Sequence, residues 1–169
     1  MKDIFFQGRK IPLKIDYQPQ KRSRLEIHQD YALASLCYDL TSKQQKEQLS
    51  ILQEKLYQVS VKKVVQETLA LLQHHAPRRI DKVRFKKMTS RWGSASANHS
   101  LNFNLDLAKL PLKVQQYIII HEYSHLFEMN HSKAFWNTVS KFDPHYRENR
   151  RILRSLEKQF HQEKNLQPI

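Results

Sequence analysis

The chain holds a single cysteine, Cys37, so it can form no disulfide within itself and suits a reducing compartment. No apolar run approaches the roughly 20 residues that cross a bilayer. The opening Met-Lys-Asp-Ile-Phe-Phe-Gln-Gly is too poor in apolar residues for a secretory signal. These absences predict a soluble, cytoplasmic protein with no membrane partner. Glycine is nearly as scarce, with two residues, so Gly93 in Arg91-Trp92-Gly93-Ser94 is expected to allow a sharp bend or a close backbone approach. Acidic residues are also in short supply, 16 against 29 Lys and Arg, which leaves a formal charge of +13. Such an excess attracts phosphate-bearing partners, making nucleic acid or a nucleotide a candidate partner. The alternative is plain solubility charge on solvated faces. Basic residues cluster at Lys21-Arg22-Ser23-Arg24, Arg78-Arg79, Arg84 with Lys86-Lys87, and along Arg147, Arg150, Arg151 and Arg154.

What is present concentrates in residues 121–131, His-Glu-Tyr-Ser-His-Leu-Phe-Glu-Met-Asn-His. Helical positions four apart share a face, so His121 and His125 can aim both imidazoles at one metal ion. Glu122 follows about 100° round the helix, within reach of a water on that metal but not a ligand itself. A catalytic zinc takes three protein ligands and keeps one position open, and His131 is the candidate third ligand. A straight helix would carry His131 about 9 Å beyond His125 along the axis. That is too far for zinc–nitrogen bonds of about 2.0–2.1 Å. The helix is therefore predicted to end between Phe127 and Asn130, with Asn130 turning in the left-handed region. Metzincin proteases share this ligand spacing but carry glycine where this chain has Glu128, which argues against a metzincin. Apolar residues almost all round Val114–Phe127 mark a buried helix, where polar groups need partners that a metal supplies.

The stretch from Lys87 to Leu153 resembles the YgjP-like metallopeptidases, relatives of the SprT-like and WLM zincins. The resemblance lies in Arg91-Trp92-Gly93-Ser94, Leu101-Asn-Phe-Asn-Leu105, Leu110-Pro111 and His121-Glu-Tyr-Ser-His125. It continues through Glu128-Met-Asn-His-Ser132, Phe135-Trp136 and Pro144-His-Tyr-Arg147. It covers about two-fifths of the chain. It implies zinc bound by His121, His125 and His131, with Glu122 as catalytic acid and base. The family usually has cysteine after Trp-Gly-Ser, where this chain has Ala95, so any role of that thiol is absent. The N-terminal third matches only loosely, and nothing is carried over there.

Patterning places the remaining elements. Ile11–Tyr17 alternates like a strand, at an edge because of Pro12, with Arg24–His28 as its partner. Two helices follow, one capped by Thr41 or Ser42 and one by Ser60, the second stopped by Pro77. Val83–Phe85 and Leu101–Leu107 suggest a hairpin with Asn102, Asn104 and Asp106 facing outward. Ser132 can cap a short helix, and Asp143-Pro144 signals the last one. The tail from Gln162 is polar and expected to fray. The predicted fold class is α+β: a single domain over residues 1–169, zincin-like by resemblance, with a small antiparallel sheet packed on the active-site helix and additional helices. Residues 80–160 would form the catalytic core, and residues 1–79 the N-terminal strands and helical pair.

Zinc held by neutral histidines lowers the pKa of its water to about 7. Glu122 would take that proton and pass it to the departing amine. Arg91, His99, His145 and Tyr146 are candidates by type to steady the developing oxyanion. Arg91, Trp92, Asn102, Asn104 and Tyr146 are candidate substrate contacts, and the hairpin is a candidate platform for strand addition. Glu148 is the alternative third ligand, by comparison with gluzincins. The chain thus reads as a zinc-dependent peptidase acting on a protein or peptide, with one Zn2+ per chain. The alternatives are a metal-dependent nucleotide phosphohydrolase and a nucleic-acid-associated module with structural zinc.

Overall fold

The computed structural model describes residues 3–19 and 22–165; Lys21 of the first basic cluster and residues 166–169 of the polar tail lie outside them. Four strands come first, β1 (Asp3–Phe6), β2 (Arg9–Gln18), β3 (Arg24–Ile27) and β4 (Ala32–Cys37). A long helix α1 (Ser42–Leu72) leads to β5 (Lys82–Lys86), β6 (Gly93–Ala95) and β7 (Ser100–Asn104). The helices α2 (Leu112–Ser124), α3 (Lys133–Phe142) and α4 (Tyr146–Asn165) complete an α+β architecture. The last helix continues through Gln162 to Asn165, where fraying was expected.

The first sheet has the order β1-β2-β4-β3. The beginning of β2 pairs antiparallel with β1, from Phe6↔Arg9 to Asp3↔Pro12, and the rest runs parallel to β4, from Leu13↔Ala32 to Gln18↔Cys37. Pro12 therefore sits where one ladder hands over to the other, and β2 is internal rather than an edge. β3 pairs with β4, not with β2 as predicted. The sequence of β4, Ala-Leu-Ala-Ser-Leu-Cys, lacks clean alternation because this strand is buried or half-buried along its whole length.

The predicted helical pair is one helix of 31 residues. Thr41 caps it in a reciprocal capping box with Gln44. Its buried stripe, Leu49, Tyr57, Val61, Val64, Val65, Thr68 and Leu72, keeps helical spacing straight past Ser60. Tertiary burial thus overrides the local capping preference of that serine. The helix closes into a 3-10 turn at Gln73–His75, and Ala76 is already extended ahead of Pro77.

The second sheet has the order β5-β7-β6, with β5 parallel and β6 antiparallel to β7. It is mixed rather than antiparallel, and the hairpin partner of β7 is the short β6, not β5. β7 ends at Asn104 and continues as a 3-10 turn at Leu105–Lys109. Leu101, Phe103, Leu105 and Leu107 are nonetheless all buried, as their alternation predicted. Asn104 does not face outward. It is buried, its amide donates to the carbonyls of Met88 (2.8 Å) and Arg91 (2.9 Å), and its oxygen accepts from the N–H groups of Met88 (3.3 Å) and Asp106 (3.1 Å). Every hydrogen-bonding position of this side chain is taken, three by the loop it anchors and one by the turn that follows it.

The main core joins Ile4 and Ile11, Val61 and Val65 of α1, Phe103 of β7, Ile118 and Ile119 of α2, and Phe135 and Val139 of α3. Tyr123 is fully buried, and its hydroxyl donates to the Leu72 carbonyl at 2.6 Å, fastening α2 to the end of α1. Replacing Asn104 by Ala leaves buried donors and acceptors without partners. The expected cost is about 2–4 kcal/mol, read as a lowered urea midpoint; a change within about 0.5 kcal/mol would contradict this anchoring role.

Candidate metal centre

Pro111 precedes α2, and its carbonyl accepts from the N–H groups of Val114 (2.9 Å) and Gln115 (3.0 Å), opening the helix. The far end tightens. His125, Leu126 and Phe127 donate three residues back, to Glu122 (3.3 Å), Tyr123 (3.0 Å) and Ser124 (3.0 Å). The helix therefore ends at Ser124, earlier than predicted. Asn130 is not left-handed: among the described residues other than glycine, only Gln7 and His99 have positive φ. Instead, the Asn130 side-chain oxygen accepts from the Ser132 N–H at 3.2 Å, and Ser132 caps α3 by accepting from the Phe135 N–H at 3.3 Å. His131 stands immediately before that cap, returned toward the helix by the turn.

One ring nitrogen from each of His121, His125 and His131 lies within 4.8 Å of the others. The Nε2 atoms of His121 and His131 are 3.1 Å apart. Two nitrogens on a tetrahedral zinc stand about 3.3 Å apart, so the spacing suits a shared ion. Nδ1 of His125 lies 3.0 Å from the Glu128 carbonyl, which can only accept. That contact places the proton on Nδ1 and leaves the Nε2 lone pair for a metal. Phe135, fully buried, packs against all three imidazoles with ring centroids 4.9, 4.6 and 4.7 Å away.

Burial, then the neighbouring His125, His131 and Arg150, push the pKa of His121 down to about 3. Burial likewise lowers that of His125, against the opposing pull of the Glu128 carbonyl. Both rings are neutral at pH 7, the form that binds a metal. Glu122 is buried and raised to about 7 by that burial, against the lowering effects of the Ala95 backbone N–H and of Arg91. A Cβ built on Gly93 would stand 2.7 Å from Glu122 Cγ and 2.8 Å from Oε1. The glycine is thus the close approach expected of it: the backbone of β6 lies directly against the carboxylate.

The other predicted residues divide. Arg91 is exposed and acts electrostatically on Glu122. Trp92 packs against the core and donates Nε1 to Glu157 at 2.8 Å. Asn102 is half-buried and donates to Ser94 Oγ at 3.2 Å. Asn104 is removed from the substrate contacts by its saturated structural bonds. Tyr146 stacks on Trp136, centroids 5.4 Å apart, and its hydroxyl accepts from Arg147 Nε at 3.1 Å. His99 lies beside Arg78, its Nε2 3.3 Å from the guanidinium. His145 and Glu148 line a cavity of about 570 Å3 that includes none of the three histidines, and Glu148 pairs with Lys113 at 3.2 Å. That pairing disfavours Glu148 as third ligand. The Ala95 N–H and the Glu128 carbonyl escaped sequence reasoning because main-chain groups carry no residue signal; Phe135 was read as part of the short helix capped by Ser132 and of the family resemblance, not as packing for the imidazoles.

Gly93→Ala is expected to displace Glu122 while sparing the three histidines. Zinc stoichiometry by elemental analysis should stay near that of the parent protein while hydrolysis falls at least about a hundredfold. Unchanged turnover would show that this contact is not needed.

A comparison with curated proteins gives no match. Among solved structures, the chain is similar to the metallopeptidase zymogen abylysin of Pyrococcus abyssi, with 25% identity over 57% of this chain and 95% of that one, at a TM-score of 0.47. It is also similar to the metallopeptidase zymogen jannalysin of Methanocaldococcus jannaschii, with 24% identity over 58% and 95% of the two chains, at a TM-score of 0.46. A family model matches residues 1–156, including the N-terminal third whose resemblance was loose, and on that match the chain belongs to the YgjP-like, metallopeptidase domain family.

Proposed function

We propose that His121, His125 and His131 hold one zinc ion, and that Glu122 moves the proton in hydrolysis of a peptide bond. The observation that carries this reading is the meeting of three histidine ring nitrogens within 4.8 Å of one another, beside a buried carboxylate that is not among them. Zinc bound there would supply a water acidic enough to ionise near neutral pH and would polarise the scissile carbonyl. Glu122 accepts the proton and later returns it to the departing amine. Burial favours the protonated form of this carboxyl, against the Ala95 N–H and Arg91, which favour the charged form. The Ala95 N–H and the Gly93 backbone keep the carboxylate in place between the two steps.

A peptide substrate fits the surroundings. β6 is an edge strand, and its Gly93 backbone touches Glu122. An extended peptide added along that edge would bring its carbonyls past the histidine cluster. No helix among the described residues is long and apolar enough to cross a membrane. The lone Cys37 suits a cytoplasmic setting.

Glu122→Gln should retain zinc while losing at least about a thousandfold in kcat/KM toward unfolded protein substrates. The same preparation is to be offered nucleoside triphosphates. Turnover of those alone, abolished by chelation and by Glu122→Gln, would replace the peptidase reading with a phosphohydrolase.

A further inference from the structure

Building on the peptidase reading, we propose that the site selects peptides with acidic side chains beside the scissile bond, held by Arg150 near the histidines and Arg91 near Glu122. Arg150 projects from α4 over Trp136, its guanidinium carbon 4.8 Å from the ring centroid. The Trp136 ring lies in turn 5.9 Å from the rings of both His121 and His131. Stacking on an aromatic face restrains the guanidinium and leaves its N–H groups free in the ring plane. Arg150 is therefore a half-buried, pre-oriented cation at the lip of the histidine cluster.

Arg91 lies near the carboxylate, on which it acts electrostatically. Asn104 holds the Arg91 carbonyl at 2.9 Å, and two residues later the Gly93 backbone touches Glu122. This anchoring ties an exposed guanidinium to the rim above the carboxylate. Arg154 follows Arg150 by one turn of α4, and both act electrostatically on the buried Tyr117 phenol. Among the described residues, no carboxylate forms an ion pair with Arg91, Arg150 or Arg154. Glu157, on the same stripe of α4, is engaged by the Trp92 indole.

Guanidiniums without an ion-pair partner favour carboxylates, which they bind in bidentate, charge-assisted fashion, and the half-buried Arg150 does so at the lower cost of a restrained side chain. A peptide lying on the β6 edge would run close to Arg91, two residues before Gly93, and every second side chain would point to the same side. Nucleic acid suits the arrangement less well, since a phosphate backbone needs a continuous track of cations. Arg84 and Lys86 lie on β5, at the far edge of the three-stranded sheet from β6.

The test uses the zinc-loaded full chain carrying Glu122→Gln, with fluorescence anisotropy of short blocked peptides. The peptides match in every position except Asp and Glu against Asn and Gln. The acidic peptide should bind about tenfold more tightly, a difference expected of one charge-assisted pair. Adding Arg150→Gln or Arg91→Gln should each lower the ratio, both together should bring it close to one, and adding Arg150→Glu should shift preference toward a lysine-bearing peptide, with the melting temperature of each variant checked against the parent. Equal affinities, or a ratio indifferent to both Arg150 and Arg91 substitutions, would overturn the proposal. So would tighter, Arg150-dependent binding of a single-stranded DNA oligomer, which would assign these arginines to nucleic acid. Wild-type cleavage of peptides without charge preference would reject this selectivity alone. Failure to cleave any peptide would reject the peptidase reading beneath it.

Discussion

The site depends on one reversal of the chain. Between Ser124 and Ser132 the backbone tightens, leaves the axis of α2 and comes back, so that His131 closes on two rings from the helix it has left. Nothing exotic holds the reversal. Three successive N–H groups shorten their reach by one residue, the Glu128 carbonyl takes the His125 ring proton, and Ser132 starts a new helix at once. Phe135 then fills the space beneath all three imidazoles, so their separation is set by packing against a fully buried ring.

The carboxylate is positioned by a different agency. Glu122 leaves α2 toward the second sheet, where Gly93 brings backbone into contact and Ala95 contributes an N–H. Histidines and glutamate are thus adjacent in sequence but braced by separate parts of the fold, α3 on one side and β6 on the other. The helix that carries them is fixed in turn by the Tyr123 hydroxyl on the last carbonyl of α1. The long helix and the first sheet contribute by holding α2 still, through a core that draws on Ile4, Ile11 and Val65 as well as Phe103 and Ile119.

Much of this was legible in the amino-acid order, and the reasons are specific. The His121/His125 spacing fixes a shared helical face, and the reach of a zinc–nitrogen bond demands a turn before His131. The scarcity of glycine singled out Gly93. Where reading failed, long-range pairing decided matters that local preference could not. Ser60 looks like a cap but lies within a continuous buried stripe. β3 pairs with β4, whose buried sequence shows no alternation to read, and β5 does lie beside β7 but parallel to it, with β6 as the antiparallel partner. Asn104 follows a clean alternation, which says outward, yet the loop carrying Met88 and Arg91 folds over it and consumes its amide. Main-chain participants such as the Ala95 N–H have no letter in the sequence at all.

The central claim is that one ion is shared by imidazoles from two segments of chain. X-ray absorption at the zinc edge of the loaded protein, with its His131→Ala counterpart, addresses it directly. Three imidazole ligands and one lighter oxygen donor at about 2.0 Å are expected, reduced to two imidazoles in the variant. Two imidazoles in the parent protein, or a spectrum unchanged by the substitution, would contradict it.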